Sequence, residues 1–245
     1  MQIADGIFLI ASGNLGVSLT HSHDCNAYAL RCGEEYILID SGVGIETERI
    51  IEVLKSDGIP LERVRRLFLT HYHLDHSGGA ARLRDLLGLE VWAGPITAPV
   101  LRVGDEEAIS LAAAKRAGVY PVDVKFHACP EANAFQPAIS FAIGDAQIMP
   151  IAAPGHSRDM ICFLIHQPKR TLLFPGDTIF YGGRISLQDA HDCDVPAYCS
   201  SIRMLAKIEF EMMFPGHGLW SLAAAQRHVR EAMTFVDRLL LPPNL

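Results

Sequence analysis

Four potential metal ligands fall within six residues in the segment Thr70-His71-Tyr72-His73-Leu74-Asp75-His76-Ser77-Gly78-Gly79, directly after the apolar positions Val64, Leu67, Phe68 and Leu69. The apolar run reads as a buried strand, and the segment from His71 to Gly78-Gly79 reads as the loop leaving it. Few structural needs produce such a cluster. Imidazole suits zinc and iron, and a carboxylate in the same loop can hold or orient a second ion or a bound water. The plainer reading, a hydrated loop that happens to be rich in histidine, fits this spacing poorly. The segment is read as part of a metal site carried at a strand end.

The rest of the chain supplies an α/β frame for that loop. Ile3 to Ile10, Asn26 to Leu30 and Tyr36 to Asp40 read as a strand meander, with a turn at Gly33-Glu34-Glu35. Ile45, Arg49, Ile50, Val53 and Leu54 have helical spacing, and Asp57-Gly58 and Pro60 stop the pattern. Beyond the metal loop, Ala80 to Leu87 reads as helix and Glu90 to Trp92 as a short strand. Strands are expected at Ile139 to Ile143, Gln147 to Ile151, Met160 to Ile165, Thr171 to Phe174 and Glu211 to Phe214. Helices are expected from Val195 to about Lys207 and from Leu222 to Leu240. Strand clusters alternating with helices in two successive halves suggest sheet-on-sheet packing with helices outside. No repeat or linker divides the sequence, so a single domain over residues 1–245 is expected.

Residues 95–138 differ in character. Helix-forming residues (Glu106 to Ala117) precede a loop from Val119 to Pro137, between the first ligand group and the histidines that follow. Loops of this length commonly cover or line a site, so the segment is read as a helical and loop insertion over the metal loop, against the alternative of an ordinary surface excursion.

Composition narrows the function classes. At 245 residues and 49% hydrophobic content the chain can bury an ample core. Its net charge of -7 lacks the electrostatic attraction that nucleic-acid binders use, so nucleic acid is a disfavoured partner. The N-terminal segment has no positively charged start, and its apolar stretch from Ile7 to Ala11 is too short for a signal core or membrane span, which leads to the expectation of a soluble cytoplasmic protein. The six cysteines form no Cys-x-x-Cys pair, and free thiols are expected.

The chain resembles the metallo-β-lactamase superfamily. His71, His73, Asp75 and His76 match its HxHxDH signature. Pro154-Gly155-His156-Ser157, Gly176-Asp177-Thr178 and Pro215-Gly216-His217-Gly218 match its later motifs in order. Together the four motifs are highly specific, although one Pro-Gly-His alone is weak. The resemblance implies an αββα sandwich of two mixed β-sheets with helices on both outer faces. It also implies two divalent metal ions, zinc first, with iron or manganese as alternatives. In that scheme His71, His73 and His156 hold one ion, Asp75, His76 and His217 the other, and Asp177 bridges. Paired ions of this kind lie about 3.5–4 Å apart and lower the pKa of a shared water to roughly 7. Asp75 has a second expected role, orienting that water and relaying a proton.

The reaction class follows less directly. Asp177 and His76 stand where one lactamase class has a different second site containing cysteine, so the pattern looks more like the glyoxalase II and lactonase branches. These attack an ester, thioester or lactone carbonyl with metal-bound hydroxide. The expected partner is a small-molecule substrate, with a homodimer left open. Tyr181 is read as a hydrogen-bond donor to the developing oxyanion or leaving group, and Arg184 as an anchor for a substrate carboxylate or phosphate. Their competing readings are a packed aromatic and a surface salt bridge. A glyoxalase II-like Gly-Cys-Gly element is absent after Asp177, and Tyr181 falls one position later than in the lactonase pattern. Alternative activities are a mononuclear iron persulfide dioxygenase and a phosphodiesterase or nuclease. His21 and His23 are placed at the cleft rim or outside any role, and His191 outside the metal set. His127, His166 and His228 are expected at surface or turn positions.

Overall fold

The computed structural model describes residues 1–245, which divide into two compact units, Met1–Phe135 and Gln136–Leu245. The division falls at the end of the segment expected as an insertion.

The first unit is built on a seven-stranded mixed sheet in the order β1 (Gln2–Ala4), β2 (Ile7–Ala11), β3 (Ala27–Cys32), β4 (Glu35–Ile39), β5 (Val64–Phe68), β6 (Glu90–Ala93) and β7 (Asn133–Ala134). The first four pair antiparallel, β1 to β2 and β3 to β4 through short turns and β2 to β3 through a long loop over residues 12–26, and the remainder pair parallel. Parallel pairing needs crossovers, which α1 (Thr47–Ser56), α3 (Ala80–Leu87) and α4 (Thr97–Val103) provide. Ile50 and Leu54 of α1, Ala80 and Leu83 of α3, and Ala98 and Leu101 of α4 pack in one core with Phe8, Ala29, Leu38, Leu67 and Val91. The alternate strand residues Ile7, Leu9, Leu30, Ile37 and Ile39 are buried too, which explains why these strands read as continuous apolar runs.

The second unit has a five-stranded mixed sheet in the order β12 (Met212–Pro215), β11 (Arg170–Gly176), β10 (Ile161–Gln167), β9 (Ala146–Ala152), β8 (Phe141–Ile143). Only β11 and β12 run parallel. Tyr198, Ile202 and Leu205 of α6 (Val195–Leu205) and Val229, Ala232 and Val236 of α7 (Gln226–Val236) bury their apolar faces with Cys162, Leu164, Leu173 and Met213. No helix in either unit is long and apolar enough to cross a membrane.

Four local expectations need correction. The first apolar segment is a hairpin of two strands, because Gly6 with φ +64° turns the chain between Ala4 and Ile7. The ligand loop contains a helical turn, α2 (Leu74–Ser77), since the backbone amides of His76 and Ser77 both find the carbonyl of His73. The helix expected over Glu106 to Ala117 is only α5 (Leu111–Arg116), because the Asp105 carboxylate takes the amides of Glu107 and Ala108 and holds that stretch as a turn. His228 is buried on α7, where its Nδ1 accepts from the Gly182 amide at 3.0 Å, because a one-turn 3-10 helix (Tyr181–Gly183) packs on α7. His127 and His166 are exposed as expected, His166 on β10, and His191 is exposed too.

Candidate metal centre

Each unit carries part of the expected ligand set. In the first, β5 ends at Phe68 and delivers Thr70, His71 and His73, and α2 turns Asp75 and His76 back beside them. The ring centroids of His71 and His76 are 4.2 Å apart, and those of His71 and His73 are 4.5 Å apart. His71 and His76 are buried, while His73 and Asp75 remain partly exposed. The glycines that end the motif permit this fold-back. A Cβ on Gly78 would lie 2.2 Å from the carbonyl oxygen of Val43, so only glycine lets the loop lie against the turn after β4.

That turn supplies the residue that orients the histidines. Asp40, buried and held at a left-handed φ of +62°, accepts from the Thr70 amide at 2.8 Å and from the Thr70 hydroxyl at 2.9 Å. Its Oδ2 also faces His76 Nδ1 at 2.8 Å, and a carboxylate only accepts, so this nitrogen carries the proton. Thr70 has one hydroxyl hydrogen, given to Asp40, and therefore accepts from His71 Nδ1 at 3.0 Å. Both imidazoles are thus fixed in the tautomer that turns the Nε2 lone pair away from Asp40, the arrangement found behind metal-bound histidine. Left-handed backbone at a non-glycine residue is strained, and such strain clusters at functional sites. Cys25 lies against this pair, its Sγ within 4.8 Å of Asp40 and His76 ligand atoms. Burial pushes its thiol up to about 12, so it remains protonated. All six cysteines are free thiols.

Asp75 has a partner that sequence reading did not pick out. The hydroxyl of Tyr120, from the segment after α5, donates to Asp75 Oδ1 at 2.9 Å. Burial and the neighbouring Asp75 carboxylate hold the Tyr120 phenol well above its ordinary pKa, so it stays a donor. Asp75 Oδ2 lies 3.5 Å from His76 Nε2. The Tyr120 ring also meets His23 edge-on at 5.9 Å, and His23 in turn donates its amide to His21 Nδ1.

In the second unit, Asp177 and His217 follow the adjacent strands β11 and β12, and His156 follows β9, which β10 separates from β11. Asp177 Oδ2 lies 3.5 Å from His156 Nε2 and 3.3 Å from His217 Nε2. His156 Nδ1 donates to the Ser186 carbonyl at 2.8 Å, which again places the ring's lone pair on Nε2. Tyr198, buried on α6, braces this arrangement by donating its hydroxyl to the Asp177 carbonyl and accepting from the Ser186 amide. The Pro-Gly turn before His156 is shaped by the same helix. A Cβ on Gly155 would meet Tyr198 Cα at 2.4 Å, and Ser201 and Asp194 hold the carbonyls of Pro154 and Gly155.

Metal fits these donor pairs. Ligands about 2.0–2.2 Å from a tetrahedral ion are separated by roughly 3.4 Å, the spacing of the Nε2 to Oδ2 pairs. Tyr181 and Arg184 are placed otherwise engaged. The exposed Tyr181 ring lies 4.4 Å from the His228 ring and its hydroxyl accepts from Arg227, while Arg184 donates to the Asn244 carbonyl at 2.8 Å.

A family model described as the metallo-beta-lactamase superfamily matches residues 22–217. The chain is 28% identical over 194 residues to an atrochrysone carboxyl ACP thioesterase of Aspergillus fumigatus, a match covering 79% of this chain and 50% of that protein. It thus spans half the length of that fungal relative. It is 26% identical to the acyl-coenzyme A thioesterase MBLAC2 of Bos taurus, covering 97% of this chain and 86% of that one. Among solved structures, a Cronobacter sakazakii metallo-beta-lactamase with a HARLDQ motif superposes with a TM-score of 0.73 at 19% identity, covering 98% of this chain and 96% of that chain. The expected α/β sandwich class is therefore the fold of this chain.

Proposed function

Because this chain belongs to the metallo-β-lactamase superfamily, we propose that it is a metal-dependent hydrolase of acyl thioesters. His71, His73 and His156 would hold one divalent ion, Asp75, His76 and His217 a second, and Asp177 would be shared. Two such ions, zinc in the first place, would supply Lewis acidity toward a carbonyl oxygen and a water deprotonated near neutral pH. The observation that supports this assignment best is the position of Asp177 Oδ2, 3.5 Å from His156 Nε2 and 3.3 Å from His217 Nε2. One oxygen beside two histidines assigned to different ions is what a shared ligand requires.

The chain's own groups have separate tasks. Asp40 and Ser186 hold the ring tautomers. The carboxylate of Asp75 would take the proton of the attacking water and pass it to the departing sulfur. Burial pushes the thiols of Cys25 and Cys162 up to about 12, so these two stay protonated. The thioester is preferred over the ester and lactone because two relatives, one matched along nearly the whole of this chain, are named thioesterases.

The test is metal content of the purified protein together with turnover of thioester, lactone, aryl ester, phosphodiester and β-lactam substrates. About two metal equivalents, preferred thioester cleavage, and its loss in His71→Ala and Asp177→Ala are expected. Undiminished turnover in both variants, or a single iron with oxygen uptake, would refute the proposal.

A further inference from the structure

We infer that Tyr120 is a positioning residue for Asp75, fixing which carboxylate oxygen is presented for coordination. The inference rests on the proposed role of Asp75 as a metal ligand.

A carboxylate can rotate and offer either oxygen, or both. Here Oδ1 is engaged by the Tyr120 hydroxyl at 2.9 Å, and Oδ2 sits 3.5 Å from His76 Nε2. The two remaining donor atoms thus lie side by side at the separation of neighbouring ligands on one ion, about 3.4 Å. Without the phenol, Asp75 could turn Oδ1 toward His76 or swing toward water, because its side chain is partly exposed.

Tyr120 is itself held firmly. Gly118, with φ +73°, ends α5, and the Val119 amide returns to the Ala114 carbonyl at 2.9 Å. After Tyr120, Pro121 restricts the backbone, and Val124 and Phe126 anchor the chain in the first unit's core. The Phe126 amide is further tied to the Glu106 carboxylate at 3.1 Å. Tyr120 packs against the same core, and His23 closes against its ring edge-on. A donor fixed on both sides along the chain loses little freedom when it engages Asp75, which is what preorganised support of a ligand requires.

The test uses the full-length protein and removes only the hydroxyl, in Tyr120→Phe. Zinc affinity is read by competition with a chromophoric chelator, alongside thermal unfolding, kcat and KM. In the variant one of the two zinc equivalents should bind about 10- to 100-fold more weakly while the other is unchanged. Its kcat should fall at nearly constant KM. Val122→Ser, at an 82% exposed position two residues away, should match wild type in every readout. If wild type binds two zinc ions and Tyr120→Phe binds both as tightly, the assignment of Tyr120 is overturned. If wild type binds fewer than two, the functional reading fails first and this inference falls with it.

Discussion

Asp40 touches no expected substrate, yet it orients two histidines, one directly and one through the Thr70 hydroxyl. Replacing it with alanine should weaken zinc binding about 10- to 100-fold, because the imidazoles lose the partners that fix their tautomers. It should also destabilise the fold by about 1–3 kcal/mol, since the buried Thr70 amide loses its acceptor. Chelator competition and urea unfolding of Asp40→Ala measure the two effects, and unchanged zinc affinity would remove Asp40 from the account. The proposed ligands stand out at this scale because their spacing is a chemical requirement visible in one dimension. Asp40 was not, because in sequence it is only the polar residue ending an apolar run. Tyr120 and Tyr198 left no signal either: a tyrosine between Val119 and Pro121, or on an amphipathic helix, says nothing of where its hydroxyl goes.

Among the elements, α7 shows how a helix can make the region after Asp177 sensitive to pH. His228 Nδ1 accepts the Gly182 amide and so must be unprotonated there. Burial, and then the nearby Arg227, lower its pKa from the ordinary 6.5. With the folded value below the unfolded one, the unfolded chain binds more protons between them. The contribution is complete above the unfolded value and shrinks as pH falls toward the folded value. Urea unfolding of wild type between pH 7.5 and 5.5 should lose stability more steeply than His228→Gln; equal slopes would contradict the assignment. The same helix marks a limit of sequence reading. Its amphipathic pattern gave the helix, but which polar side chain turns inward depends on the 3-10 turn Tyr181–Gly183 packed against it, a contact across 46 positions. Strands such as β3 and β10 were legible because their apolar runs are buried on both faces. α5 was overextended because a local carboxylate competes with helical hydrogen bonds over Glu106 to Ser110.

For the whole molecule, the proposed chemistry makes one demand: the proposed ligands are divided between the two compact units. The first carries His71, His73, Asp75 and His76, and the second His156, Asp177 and His217. The order of the motifs was visible in the sequence but the two-unit division was not, since no linker marks it, and the αββα class came with the family resemblance rather than from periodicity, which fits several α/β layouts. Neither half has the three-plus-three grouping expected for two ions, so the proposed chemistry needs ligands from both units. The most direct measurement is zinc-edge anomalous scattering from crystals of the zinc-loaded protein. The account predicts two peaks about 3.5–4 Å apart, one bonded to His71, His73 and His156, the other to Asp75, His76 and His217, with Asp177 on both. Zinc held within one unit alone, for instance by Cys25, Asp40 and His76, with none at His156 or His217, would contradict it.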